Sequence, residues 1–145
     1  MSSHKAAVVS AARKWLGTPF CHQSSTYGHG VDCVGLLSGV WREVVAQTTP
    51  TFPPYSQYWA EEQQVEWLLD GLSENLVSDG GQIADGMVLV FRLRRGRPAS
   101  HVGIVCERGS RLIHAIPRLG VVEVPLGHVW LRKIVGQFYY PEKEE

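Results

Sequence analysis

Midway along this chain the spacing of the apolar residues changes. Up to about residue 69 they recur at helical intervals, and beyond Ile83 they gather into short Val- and Ile-rich runs cut by Gly or Pro turns. Over residues 4 to 16, Val8, Val9, Ala12, Trp15 and Leu16 keep a 3.6-residue period, with Ser2 or Ser3 to cap and Gly17 and Pro19 to stop. From Cys33 to Val45, Leu36, Leu37, Val40, Trp41 and Val44 repeat that period. Asp32 falls at the N-cap of this second helix, where a carboxylate accepts backbone N–H groups. Residues 58 to 69 predict a third helix closed near Gly71, while 20 to 31 and the proline-rich 48 to 57 read as loops. Strands are expected over Met87 to Phe91, His101 to Glu107, Arg111 to Ile116, Val121 to Leu126 and Lys133 to Tyr140. Helices first and antiparallel strands afterwards make an α+β fold, with N-terminal helices packed on a C-terminal sheet.

Composition narrows the class further. With 145 residues, 44% of them apolar, the whole chain 1–145 reads as one domain with a real core. Fourteen basic residues balance fourteen acidic ones, which argues against nucleic acid as a main partner. The run Arg92-Leu93-Arg94-Arg95-Gly96-Arg97 reads as a solvated hairpin loop, with attraction to an anionic polymer or membrane surface as its alternative. Three cysteines, Cys21, Cys33 and Cys106, form no disulfide framework and suit synthesis in a reducing compartment. The start M-S-S-H-K-A-A lacks the pattern of a signal peptide, and no apolar run approaches the roughly 20 residues of a membrane span. The expectation is cytoplasmic synthesis without a signal peptide.

Chemistry concentrates at three positions. Cys33 sits in G-V-D-C-V-G-L-L at the start of the second helix, where partial positive charge and unpaired N–H groups favour a thiolate. Two strand-borne histidines follow, His101 in S-H-V-G-I-V-C and His114 in L-I-H-A. A hairpin loop of two or four residues would pair Cys106 with Arg111 and set position 103 opposite His114. His101 and His114 then become diagonal neighbours on one face, whereas a three-residue loop without a bulge would put them on opposite faces. In the first arrangement Cys33 attacks a carbonyl carbon, His101 moves the proton and His114 fixes the tautomer of His101. The backbone N–H of Cys33, helped by a side chain from residues 20 to 23, would meet the oxyanion. That reading makes Cys33 the low-pKa thiol, first to be alkylated near pH 6, and leaves Cys106 as inert core.

Rival readings are weaker. Taken singly, Cys33 and the histidines could be satisfied core groups, and Trp15, Trp41 and Trp67 are most simply core. Tyr58 and Trp59 are evenly poised between core and a groove lining. Cys21, His22, His29 and Cys33 match no paired-ligand zinc spacing, so neither a metal nor another cofactor is expected. Ser38 lacks the G-x-S-x-G elbow, and no phosphate-binding glycine loop is present.

With those residues on the page, the chain resembles the NlpC family of bacterial cell-wall cysteine peptidases, a papain-like α+β group. More narrowly it is similar to the branch that phages and gene transfer agents carry as a tail-associated cell-wall peptidase. The resemblance rests on A-R-K-W-L-G-T-P-F, H-Q-S, G-V-D-C-V-G-L-L-S-G-V-W-R-E, P-P-Y-S-Q-Y-W-A-E, M-V-L-V-F-R, S-H-V-G-I-V, L-I-H-A, V-V-E-V-P-L and G-Q-F-Y-Y-P. It implies catalytic Cys33, His101 and His114, with Asp32, Phe20, His22 and Val34 near the substrate. It also implies cleavage, through an acyl-enzyme, of the amide between γ-D-glutamate and a diamino acid in peptidoglycan stem peptides. Phage-like tail proteins become expected partners, and delivery to the wall as part of a virion or tail-like particle the expected route. Phe20 stands where the family usually has Tyr, and Val34 where many members have Ser. An amidase or acyltransferase on another amide or ester, and a structural tail protein with vestigial chemistry, are the alternatives.

Overall fold

A computed structural model describes residues 2–47 and 66–142. Two helices come first, α1 (Ser2–Arg13) and α2 (Cys33–Val44), with a short hairpin of β1 (Ser25–Thr26) and β2 (Gly30–Val31) between them. Then follow α3 (Trp67–Asn75), β3 (Val77–Ser78), β4 (Val88–Phe91), β5 (His101–Cys106), β6 (Arg111–Ile116), β7 (Gly120–Pro125), α4 (His128–Leu131) and β8 (Ile134–Tyr139). The last six strands form one antiparallel sheet in the order β3-β8-β4-β5-β6-β7. No helix among the described residues is long and apolar enough to cross a membrane.

Alternation along the strands gives the sheet two apolar faces, each covered. Val102, Ile104, Ile113 and Ala115 pack with Val8, Ala12, Leu36 and Val40 of the helices. Leu89, Phe91, Val105 and Leu112 pack with Met87 and Leu126 on the other face, where Trp130 also lies. The helices approach closely because Gly39 of α2 has no side chain: a Cβ there would fall 2.2 Å from the Trp15 ring. Trp15 is buried as the apolar period implies, but Leu16, counted in the same stripe, is 41% exposed. The helix ends at Arg13 and turns follow, so Leu16 leaves the buried face. Trp67 is core and Trp41 is half-buried against it.

The expected end of the third helix is corrected. Gly71 lies inside α3, which runs to Asn75. Leu68 and Leu72 keep the helical stripe buried across the glycine, and Asn75 Nδ2 donates to Gly71 O at 3.0 Å. Burial of that stripe outweighs the roughly 1 kcal/mol that glycine costs within a helix. The part of that helix expected over 58–65, the loop over 48–57, Tyr58 and Trp59 lie outside the described residues. The arginine-rich run is the exposed β4–β5 loop, in which Arg92 donates to Glu66 Oε2 at 2.6 Å.

Candidate active site

Cys33 is the first residue of α2 and Asp32 is its N-cap, as the sequence implies. Asp32 Oδ1 accepts from Gly35 N–H at 2.8 Å, and Oδ2 from Gln23 N–H at 2.6 Å. One carboxylate therefore ties the 20–24 loop to the first turn of the helix that carries the thiol. Gly35 is required for this contact, because a Cβ would fall 1.9 Å from Ser24 O. Of the other residues placed near the substrate, Phe20 bridges to Val31 and is half-buried, Val34 packs partly against the core, and His22 is exposed. Cys21 is exposed, Cys33 and Cys106 are buried, and no three His, Cys, Asp or Glu side chains among the described residues gather as a metal-binding group.

The histidines meet. Cys106 pairs with Arg111, so the hairpin loop has the even length that puts both rings on one face, and His101 Nε2 lies 2.7 Å from His114 Nδ1. Gly103 makes the approach feasible: a Cβ there would stand 2.7 Å from Leu112 Cδ1 and 3.2 Å from His114 Cβ. The β5–β6 pairing covers Ile104↔Ile113, Val105↔Leu112 and Cys106↔Arg111, leaving the start of β5 outside it. There the backbone N–H of Val102 is turned to the Cys33 sulfur, joined by the N–H groups of Val34 and of Cys33 itself. Three amides thus converge on the thiol. Two belong to the helix start and were foreseeable; Val102 was not, since its freedom comes from the strands splaying apart.

Burial decides the resting charges. Cys33 is 7% exposed, and burial, followed by the negative charge of Asp32, pushes its thiol up to about 12 against the opposing pull of the three amides. That overturns the expectation of a standing thiolate at the helix start: the terminus is present, but desolvation is larger. Burial also holds both imidazoles below their ordinary range, with the proximity of His114 lowering His101 further. At rest the group is a thiol beside two neutral histidines. Because His101 Nε2 is committed to His114, Nδ1 is its remaining nitrogen for accepting a proton. A basic Nδ1 requires Nε2–H to donate to His114 Nδ1, which fixes both tautomers.

Two measurable outcomes follow from this charge state. At pH 6 iodoacetamide is expected to modify Cys21 before Cys33, with Cys33 slower by about tenfold or more, since each pKa unit changes the thiolate fraction about tenfold. Peptide mass mapping checks this, and activity should fall with Cys33 modification alone; Cys33 labelled first would mean that His101 already holds its proton at rest. Stability is expected to fall on acidification. Histidines held below their unfolded value give stability that is complete above about pH 6.5 and is lost as pH falls toward the depressed folded values. For two such groups the slope reaches about 2.7 kcal/mol per pH unit. Urea unfolding at several pH values between 7.5 and 5 measures it, and replacing both histidines by Gln should flatten it.

Trp130 is the site residue that the sequence did not disclose. It stands on the four-residue α4, and its ring centroid is 5.1 Å from that of His114 and 5.7 Å from that of His101. A helix so short carries no periodicity by which to read a buried face.

Comparison with known proteins gives one kind of match. No protein-family model matches the sequence, and no curated protein matches it. Among solved structures, an NlpC/P60 family protein from Bacillus cereus superposes with a TM-score of 0.63 at 18% identity, over 94% of this chain and 40% of that one. The chain has the NlpC/P60 fold. The NlpC/p60 domain of the peptidoglycan hydrolase SagA superposes with a TM-score of 0.60 at 22% identity, over 92% of this chain and 97% of that domain. A lipoprotein-like NLP/P60 family protein from Staphylococcus aureus gives 0.59 at 22% identity, over 96% of this chain and 42% of that one. The chain therefore spans well under half of the B. cereus and S. aureus proteins, and its extent is close to that of the SagA domain. The α+β arrangement with a six-stranded antiparallel sheet agrees with these NlpC/P60 structures.

Proposed function

We propose that the protein is a peptidoglycan hydrolase, a cysteine endopeptidase that cuts the γ-D-glutamyl–diamino acid amide of stem peptides. The observation that carries this reading is the 2.7 Å His101–His114 hydrogen bond beside a thiol that three backbone amides surround. In the proposed reaction the Cys33 sulfur attacks the amide carbon as His101 Nδ1 takes the thiol proton. The imidazolium so formed donates through Nε2–H to His114 Nδ1. The amides of Cys33, Val34 and Val102 are placed to meet negative charge as it develops on the sulfur and the adjoining oxygen. His101 then gives its proton to the leaving amine, and water, deprotonated by His101, hydrolyses the thioester. A buried neutral pair suits this route, because charge forms only during reaction.

The substrate form follows from Asp32. Among NlpC-type enzymes that recycle wall fragments, an acidic residue before the nucleophile and a Ser after it receive the free amine of an N-terminal L-alanine. Here Val34 replaces the Ser, and both Asp32 oxygens accept backbone N–H groups within the chain. A stem still amide-linked to muramic acid is thus the favoured substrate, which suits service in a phage-like tail that opens an intact wall. Diaminopimelate-containing fragments are expected from intact sacculi at a rate at least equal to that from free stem peptides. Mass spectrometry of the two digests decides; cleavage confined to stems with a free L-alanine amine would reverse the assignment, and no cleavage of either would defeat the peptidase reading.

A further inference from the structure

The Trp130 ring packs against both members of the His101–His114 pair. Trp130 meets Phe91 in a T-shaped contact at 5.0 Å, stands at 90° to His114 at 5.1 Å, and lies inclined 31° to His101 at 5.7 Å. The histidines are 7% and 1% exposed, and the half-buried Trp130 ring lies against both. Its short helix is closed by its own backbone bonds, Leu131 N–H to Gly127 O at 3.0 Å and Lys133 N–H to Trp130 O at 2.9 Å.

We propose that Trp130 is a positioning residue for the reaction described above: its indole wedges the two imidazoles into the orientation that leaves His101 Nδ1 to Cys33, and keeps water from their shared hydrogen bond. Trp130 against both imidazoles and Phe91 against His101 at 6.0 Å restrict ring rotation in a way that one hydrogen bond does not. Excluding water also strengthens that bond, because nothing competes for its donor or acceptor. Among the described residues few charges face the pair. From α2, Cys33 reaches the backbone N–H of Val102, next to His101, and the Asp32 carboxylate before it is turned to backbone amides. Glu123 of β7 pairs with Ile113, on the opposite face of the sheet, and binds Arg13 and Arg111 there. β4 supplies no titratable residue, Cys106 of β5 packs on the helix side, and His128 of α4 and Arg132 beyond it are exposed. Burial, to which the Trp130 ring contributes, is therefore the larger influence on the proton affinity of the pair, and the proximity of the two rings the smaller.

The test compares wild type, Trp130→Phe and Trp130→Ala by NMR titration of the histidine ring signals, and by the pH profile of kcat/KM on sacculi. In Trp130→Ala the midpoints of His101 and His114 are expected to rise by roughly one pH unit or more toward the ordinary imidazole value of about 6.5. The acid limb of kcat/KM should move with them, and kcat should fall about tenfold or more. Trp130→Phe should give smaller shifts of the same sign. Midpoints and acid limb unmoved in a folded Trp130→Ala protein would overturn the proposal, even if stability drops; should that variant not fold, unmoved midpoints in Trp130→Phe would do so. The titration needs no substrate: midpoints that rise in a protein without wall activity support the role of Trp130 and sink the peptidase reading instead.

Discussion

Replacing Cys33 by Ala is expected to abolish release of fragments from sacculi, a loss of at least about 10⁴-fold, because among the described residues no other group near the site can form the acyl intermediate of the proposed reaction. Cys106 is buried on a separate part of β5 and Cys21 lies exposed in the loop, so neither can substitute. The fold should survive. Cys33 behaves in packing as a small hydrophobe, and removal of one sulfur leaves a modest void. Thermal unfolding together with turnover separates the two contributions. A Cys33→Ala protein that still cuts the wall would sink the nucleophile assignment, whereas one that unfolds would leave Cys33→Ser, with its far less acidic hydroxyl, to decide.

The second large effect concerns the base. His101→Ala is expected to cost roughly 10²–10⁴-fold in kcat, the range for losing general acid–base transfer. His114→Gln should cost about tenfold less than that, since an amide oxygen can still accept from His101 Nε2–H and hold the ring. His114→Ala should be worse than His114→Gln, because it leaves a buried ring nitrogen unpaired at a cost of about 1–3 kcal/mol. Single-turnover rates on a defined muropeptide, with urea unfolding on the same proteins, test the order. Wild-type rates in both histidine variants would dismiss the whole constellation.

Much of this site was legible in the residues. The change of apolar period placed helices before strands, and Asp32 ahead of an apolar helical run placed the N-cap and the thiol. Pairing parity brought His101 and His114 together, because a four-residue turn preserves the face on which alternate residues lie. What sequence missed depends on the third dimension. The charge state of Cys33 is set by its burial and by Asp32 beside it, and local motif reasoning saw only the helix terminus. The Val102 amide became available through a local loss of strand pairing. Trp130 reaches the histidines across the sheet from a stretch too short for any pattern. Gly71, read as a stop, was overridden by leucines on either side of it.

The uncharged resting state of Cys33 has a consequence for how long such a protein lasts. Peroxides and other oxidants attack thiolates, and the reaction climbs from sulfenic to sulfinic acid, from which recovery is rare. A buried thiol whose proton is held until a carbonyl arrives presents almost no anion to oxidise. The exposed Cys21 is the sulfur that oxidants reach first, and its loss touches none of the groups that do the chemistry. On the proposed reading, a catalyst built this way can wait, folded, in surroundings that would spoil a cysteine enzyme with a permanent ion pair.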